Sequence, residues 1–311
     1  MAELYDLIII GGGPAGITAG IYAARKRLKT MLLTKDFFGQ TAKASKIDNF
    51  PGFLKISGPD LMKKFKEHLE KFEIEIKEDE IVSKIEKKEK NFLITTEKKK
   101  QFLTKTIIAA IGADPRPLEV EGEKEFIGRG VSYCSTCDAA FFENKAVAVI
   151  GAGNSGFTAA LDLAKYAKRI FIFEKNDKII ADEILQDEVK KDLKIEIHLN
   201  KEIIKIEGNK KVDSLIYKDL KTNKTYQVPI DGVFIQIGMI PTTGFLKGLV
   251  EFNKFDEIKV NPETCETSLP GIFAAGDCNE GPFKQIITAA GEGAKAALSV
   301  YSYLMRLDKK R

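Results

Sequence analysis

Residues 7–24 read Leu-Ile-Ile-Ile-Gly-Gly-Gly-Pro-Ala-Gly-Ile-Thr-Ala-Gly-Ile-Tyr-Ala-Ala. Four uninterrupted apolar residues suit a strand buried on both faces, as in a parallel sheet. Small and apolar residues then recur at helical spacing, at Ile17, Gly20, Ile21 and Ala24. Between strand and helix, Gly11-x-Gly13-x-x-Gly16 has the spacing of a dinucleotide-binding loop. The first glycine makes a tight turn, the second lets backbone approach a pyrophosphate, and the third lets helix and strand pack closely. The anion sits on the helix N-terminus, where free N–H groups and the dipole favour it. Gly11, Gly13, Pro14, Ala15 and Gly16 are therefore candidate dinucleotide contacts.

The pattern occurs a second time. Val147-Ala-Val-Ile150 precedes Gly151-Ala-Gly-Asn-Ser-Gly156, and Phe157, Ala160, Leu161 and Ala164 follow at helical spacing. This is an internal repeat at domain scale, which predicts an α/β protein with two Rossmann-like dinucleotide-binding domains. A third glycine-rich segment, Gly271-Ile-Phe-Ala-Ala-Gly-Asp277, follows much later. The segments Gly112-Ala-Asp-Pro-Arg-Pro117 and Gly238-Met-Ile-Pro-Thr-Thr-Gly244 have the Gly/Pro content of linkers. The second domain is thus expected as an insertion, residues 116–242, within a first domain made of residues 1–115 and 243–311.

The chain's 311 residues suit two domains, and 44% hydrophobic with 30% charged residues is a globular composition. Its 49 basic residues nearly match 45 acidic ones, for a net charge of +4. The densest basic stretch, Lys84 to Lys105, is broken by Glu86, Glu89 and Glu97. It reads as a solvated strand-and-turn face, so no nucleic-acid partner is expected. No apolar run approaches the roughly 18 residues of a membrane span. The nearest, residues 147–163, is interrupted by glycines, Asn154 and Asp162. Glu3 and Asp6, with no basic residue before the first apolar run, are the reverse of a secretory signal, so a cytoplasmic location is expected.

Of four cysteines, Cys134 and Cys137 form a Cys-x-x-Cys, while Cys265 and Cys278 stand alone and read as small buried residues. A metal site would need two further ligands. Cys265, Cys278, His68 and His198 are not paired at ligand spacing, so no metal is expected and the pair reads as redox-active. Asp138 follows directly and could shuttle the proton that disulfide reduction requires, or could cap a helix; the residues alone leave both open. Two nucleotide loops and a dithiol make an electron relay. A flavin must lie between, because a nicotinamide does not reduce a disulfide directly at useful rates.

At this point the residues resemble the low-molecular-weight thioredoxin reductases over nearly the whole chain. The shared features run in order: Gly-Gly-Gly-Pro-Ala-Gly, Gly39-Gln40, Asn49-Phe-Pro51-Gly52, Tyr133-Cys-Ser-Thr-Cys-Asp138, the second glycine loop, Ala274-Ala-Gly-Asp277 and Lys284-Gln285-Ile286-Ile-Thr288-Ala-Ala-Gly291. The resemblance implies FAD at the first loop. It matches Gly276 and Asp277 to the flavin-ribityl contact, Gln285 and Ile286 to the stretch against the isoalloxazine ring, and Gln40 and Asn49 to other flavin contacts, with Lys284 also in the FAD set. It implies that Cys137 faces the flavin, that Cys134 attacks the partner disulfide, and that Asp138 is the acid–base residue. Family members are homodimers whose inserted domain swings between two orientations. The implied partner is thioredoxin or a glutaredoxin-like protein, with no membrane or nucleic acid involved.

The chain departs from the family in three places. Its NADPH site reads His-Arg-Arg with another Arg four residues on, where this chain has Glu174-Lys175-Asn176 and Ile180. An acid at Glu174 suits both ribose hydroxyls of NAD and opposes the 2′-phosphate of NADP. The nicotinamide contacts are therefore expected to be Gly151, Gly153, Asn154, Ser155, Gly156, Glu174 and Lys175, with NADH favoured over NADPH. Phe37-Phe38 stands before Gly39, where a glycine often occupies position 38, and Ile111 stands where many members have Thr. Other readings are a flavoprotein fed by ferredoxin or reduced deazaflavin, a redox sensor without turnover, and the reductase of a peroxiredoxin system. The last usually carries an extra N-terminal dithiol domain, whereas this chain starts at its first glycine loop.

Overall fold

The computed structural model describes residues 3–37, 39–44 and 47–308; Phe38, one of the departures noted above, lies outside them. Among the described residues the α-helices are α1 Pro14–Arg25, α2 Gly58–Leu69, α3 Ser135–Asp138, α4 Asn154–Ala164, α5 Glu183–Lys191 and α6 Ile286–Asp308. The chain forms two compact units, residues 1–114 with 240–311, and residues 115–239. The second unit is inserted into the first, beginning at 115 and ending at 239 where the linker composition suggested 116 and 242.

In the first unit, strand Leu4–Ile10 lies parallel to Thr30–Leu33 on one side and to Gln101–Ala109 on the other. Its alternate residues enter different cores. Leu7 and Ile9 pack with Ile17 of α1, Leu69 of α2 and Val300 of α6. Ile8 and Ile10 pack with Met31, Ile94, Leu246 and Ile258. Burial on both faces is what the unbroken apolar run demands. Strand Gln101–Ala109 serves two partners along its length. Its first half pairs antiparallel with Asn91–Thr96, and its last three residues pair parallel with Ile272–Ala274. The C-terminal segment is thereby placed on the other edge of Gln101–Ala109 from the first strand, and Ala275 donates its N–H to the Ala109 carbonyl at 2.9 Å. The basic stretch of residues 84–105 lies largely on the strands Val82–Lys88, Asn91–Thr96 and Gln101–Ala109; its exposed lysines are Lys84, Lys87 and Lys88 on the first strand and those of the turns at Lys90 and Lys98–Lys100.

The second unit repeats the scheme. A parallel sheet runs in the order Ile195–Leu199, Arg169–Glu174, Ala146–Ile150, Gly232–Ile235, Val131–Ser132. Val147 and Val149 face a core with Phe157 and Leu163 of α4. Ala148 and Ile150 face the opposite core, shared with Ile206 and Leu215 of an antiparallel sheet formed by Lys201–Gly208, Val212–Asp219 and Thr225–Pro229. No helix among the described residues is long and apolar enough to cross a membrane.

Candidate active site

The first loop is shaped by what its glycines exclude. Gly11 has φ +114°, and a Cβ there would lie 2.2 Å from the Ala110 carbonyl oxygen. A Cβ on Gly16 would lie 1.9 Å from the Gly11 oxygen, so α1 presses directly on the turn. Gly13 is the N-cap of α1. It has no side-chain cap bond, Pro14 follows it, and no acid occupies the first turn. A Cβ on Gly13 would meet nothing within 4 Å. Unspent N–H groups, positive dipole and open space at one helix end fit a pyrophosphate. Gly16→Ala is expected to lower flavin retention by about tenfold or more, because helix and loop must separate. The check is the ratio of flavin to protein absorbance after gel filtration.

The later segments converge on this helix end. A Cβ on Gly276 would lie 3.1 Å from Ala15 Cβ. Glu292 of α6 fixes the loop: its Oε2 accepts the Gly276 N–H and Asn279 Nδ2, both at 2.7 Å. Burial pushes the Asp277 carboxyl pKa up, helped by the Glu292 charge and opposed by Lys284. The Lys284 ammonium bonds the Asn279 carbonyl and lies 3.1 Å from Glu257. Asn49 Nδ2 donates to Gln285 Oε1 at 3.1 Å across 236 residues of sequence. Ile286 opens α6, and Gln40 stands at the N-cap of a short turn, Thr41–Lys43, against α2. Sequence reasoning missed Glu292 and Asn279. Glu292 lies between Gly291 and Gly293, a spacing that carries no signal by itself.

The second loop repeats the device. Gly151 has φ +110°, with a Cβ position 2.3 Å from the Gln236 oxygen, and that of Gly156 lies 2.0 Å from the Gly151 oxygen. Gly153 caps α4, again with no side-chain cap bond and no acid in the first turn. Glu174 ends its strand half-buried. Its Oε2 accepts the Ala152 N–H at 3.0 Å, and its Oε1 accepts the N–H and Nδ2 of Asn176 at 2.9 and 2.7 Å. The carboxylate therefore sits at the mouth of the glycine loop. The chain that follows is stitched to the same loop. Ile180 donates its N–H to the Ala152 oxygen at 3.1 Å, and its side chain lies 3.6 Å from the Gly153 Cβ position. Asn154 and Asp182 bond reciprocally, side chain to side chain at 3.0 Å and Asp182 N–H to Asn154 Oδ1 at 2.7 Å. Lys175 is drawn to Glu202, at 2.7 Å, and Ser155 is exposed.

Cys134 and Cys137 are joined as a disulfide with Cα atoms 5.4 Å apart. Cys134 caps α3, and its Sγ accepts the Cys137 N–H at 3.2 Å. Its own N–H donates to Ser132 Oγ at 3.0 Å. Tyr133 is held by Gln236 on its carbonyl, at 3.1 Å, and by its hydroxyl on the buried Glu123. Glu123 also accepts the N–H groups of Leu118 and Glu119. Burial and the Glu123 bond push the Tyr133 hydroxyl pKa up, so it stays protonated. Asp138 stands at the N-cap of the turn Ala139–Phe142, and its side chain forms no cap bond there. Cys265 and Cys278 are free and buried, with thiol pKa values pushed by burial up to about 11 and about 12. They are inert at neutral pH. No group of three metal-ligating side chains exists among the described residues.

Residues 5–293 match the model of the family described as pyridine nucleotide-disulphide oxidoreductase. A thioredoxin reductase of Lactococcus lactis is 39% identical, with a TM-score of 0.93 over 97% of this chain and 99% of that one. An NADH dehydrogenase of Bacillus subtilis (strain 168) is 39% identical over 304 residues, 98% of this chain. An alkyl hydroperoxide reductase component of Escherichia coli (strain K12) is 38% identical over 308 residues, also 98% of this chain. The chain spans 59% of the length of each of these two curated relatives.

Proposed function

The chain belongs to the pyridine nucleotide-disulphide oxidoreductase family, and on that premise we propose that it is a thioredoxin-disulfide reductase that favours NADH over NADPH. FAD and a nicotinamide dinucleotide are the cofactors of such enzymes. The first unit would hold FAD through Gly11, Gly13, Pro14, Ala15, Gly16, Gln40, Asn49, Gly276, Asp277, Lys284, Gln285 and Ile286. The second would hold the nicotinamide dinucleotide through Gly151, Gly153, Asn154, Ser155, Gly156 and Glu174. Lys175 belongs to the same proposed set and pairs with Glu202 at 2.7 Å. The observation that carries the reading is a Cys-x-x-Cys disulfide in the same unit as a bare, glycine-capped helix start.

FAD held by the first unit would supply the two electrons that the disulfide takes up, drawn in turn from a dihydronicotinamide dinucleotide held by the second unit. With two protons, the Cys134–Cys137 bond opens to a dithiol. Asp138, next to Cys137, supplies one of these protons and takes it back on reoxidation. Cys134, its thiolate stabilised by the Cys137 N–H, attacks a sulfur of the partner disulfide; one S–S bond forms as another breaks. Cys137 then attacks Cys134 Sγ in the mixed disulfide, which restores the internal bond and frees the second partner thiol.

The partner is thioredoxin or a glutaredoxin-like protein, the working form is a homodimer, and the location is cytoplasmic. The relative named for alkyl hydroperoxide reduction supports a second reading, a reductase serving a peroxiredoxin system. The test is anaerobic titration of the flavin-loaded protein with NADH, followed by steady-state reduction of oxidised thioredoxin and of a peroxiredoxin-linked dithiol module. Bleaching of the flavin with turnover of thioredoxin is the expected result. A protein that neither carries nor takes up FAD overturns the reading.

A further inference from the structure

Asp162 belongs to α4, about two turns beyond the second glycine loop, and only 8% of it is exposed. Its Oδ2 accepts the hydroxyls of Ser135 and Thr136, each at 3.4 Å, and its Oδ1 lies 2.8 Å from Lys165 Nζ. Ser135 and Thr136 are the two residues between the redox cysteines. One helix therefore carries the nucleotide loop at its start and grips the dithiol loop along its flank.

We infer that Asp162 is the positioning residue of the dithiol: it holds the Cys134–Cys137 loop closed and shifts its equilibrium toward the disulfide. The inference rests on the reading of this pair as the redox centre. Two effects act in the same direction. Anchoring both intervening side chains keeps the sulfurs apposed, so less freedom is lost when they join. Reduction also places thiolate charge on Cys134, and a carboxylate bonded to its neighbours opposes that charge, with Lys165 offsetting part of the repulsion.

The experiment equilibrates the FAD-loaded protein in mixtures of reduced and oxidised dithiothreitol. Each reduction breaks the Cys134–Cys137 bond, closes the S–S ring of dithiothreitol and moves two electrons and two protons to the protein. Alkylation under denaturing conditions, read by mass, counts the thiols above the two contributed by Cys265 and Cys278. Asp162→Asn is expected to move the equilibrium about tenfold toward the dithiol, equivalent to about 30 mV. Thr136→Val, on the exposed side of α3, should move it about threefold in the same direction. A shift below threefold in Asp162→Asn, or one toward the disulfide, overturns the inference. If that variant does not fold, an unmoved Thr136→Val overturns it instead. A wild-type pair that takes no electrons from any mixture removes the redox reading itself, and the inference with it.

Discussion

Cys134→Ser and Cys137→Ser are each expected to lower partner reduction by about a thousandfold or more, while flavin reduction by the nicotinamide persists. A serine hydroxyl neither forms an S–S bond nor ionises near neutral pH, so the relay stops at the altered position. The two variants should stop it differently. With Cys134 removed, Cys137 is left as the sulfur that the resemblance places against the flavin, and a charge-transfer band should appear at alkaline pH. With Cys137 removed, Cys134 keeps its place at the cap of α3, but no second sulfur resolves the mixed disulfide. A partner cysteine should then remain covalently attached, visible as a mass adduct that a reductant releases. Either variant that retains more than about a tenth of wild-type turnover contradicts the dithiol relay.

NADH should exceed NADPH in kcat/KM by more than about tenfold. The 2′-phosphate of NADPH carries close to two negative charges and needs charge-assisted donors, each worth about 1.5–3 kcal/mol. The residues stitched around the second loop are Glu174, Asn176, Ile180 and Asp182, two of them acids. One lost donor alone is worth about a factor of ten in affinity. Glu174→Gln keeps an oxygen for the Ala152 N–H and removes the charge, so it should lose most of the preference without loosening the loop. If NADPH is preferred in the wild type, a basic group from elsewhere fills the pocket, Lys175 released from Glu202 being one candidate. If neither nucleotide bleaches the flavin, the electrons come from another donor, such as ferredoxin or a reduced deazaflavin.

The two loops were legible because their signals are local. A strand buried on both faces, a turn that requires glycine and a helix start without a cap all lie within about ten residues, and the φ values of Gly11 and Gly151 follow from that spacing. The resemblance brought Asn49 and Gln285 into one site, and they do share a hydrogen bond; no periodicity links residues so far apart. Glu174 was readable as to residue type but not as to direction. Only the fold turns its carboxylate back to Ala152. Asp162 read merely as a break in an apolar run, since its partners Ser135 and Thr136 come from another element. Glu292 was invisible for the same reason, and the joint at 239 was blurred by a glycine- and proline-rich stretch several residues long.

The double duty of strand Gln101–Ala109 sets an order of events during synthesis. Once residue 239 has emerged from the ribosome, the inserted unit has all its strands and can close. The first unit cannot, because residues 107–109 still lack Ile272–Ala274, and α1 lacks α6. Its sheet stays open along that edge while the insertion folds, a stretch of unpaired backbone that invites aggregation. The Gly276 turn and Glu292 are laid down late, so the pyrophosphate cradle is complete only near the end of translation. Flavin capture is then a late maturation step rather than a nucleus for folding, and a chain interrupted before residue 272 would carry a finished dithiol unit without the means to charge it.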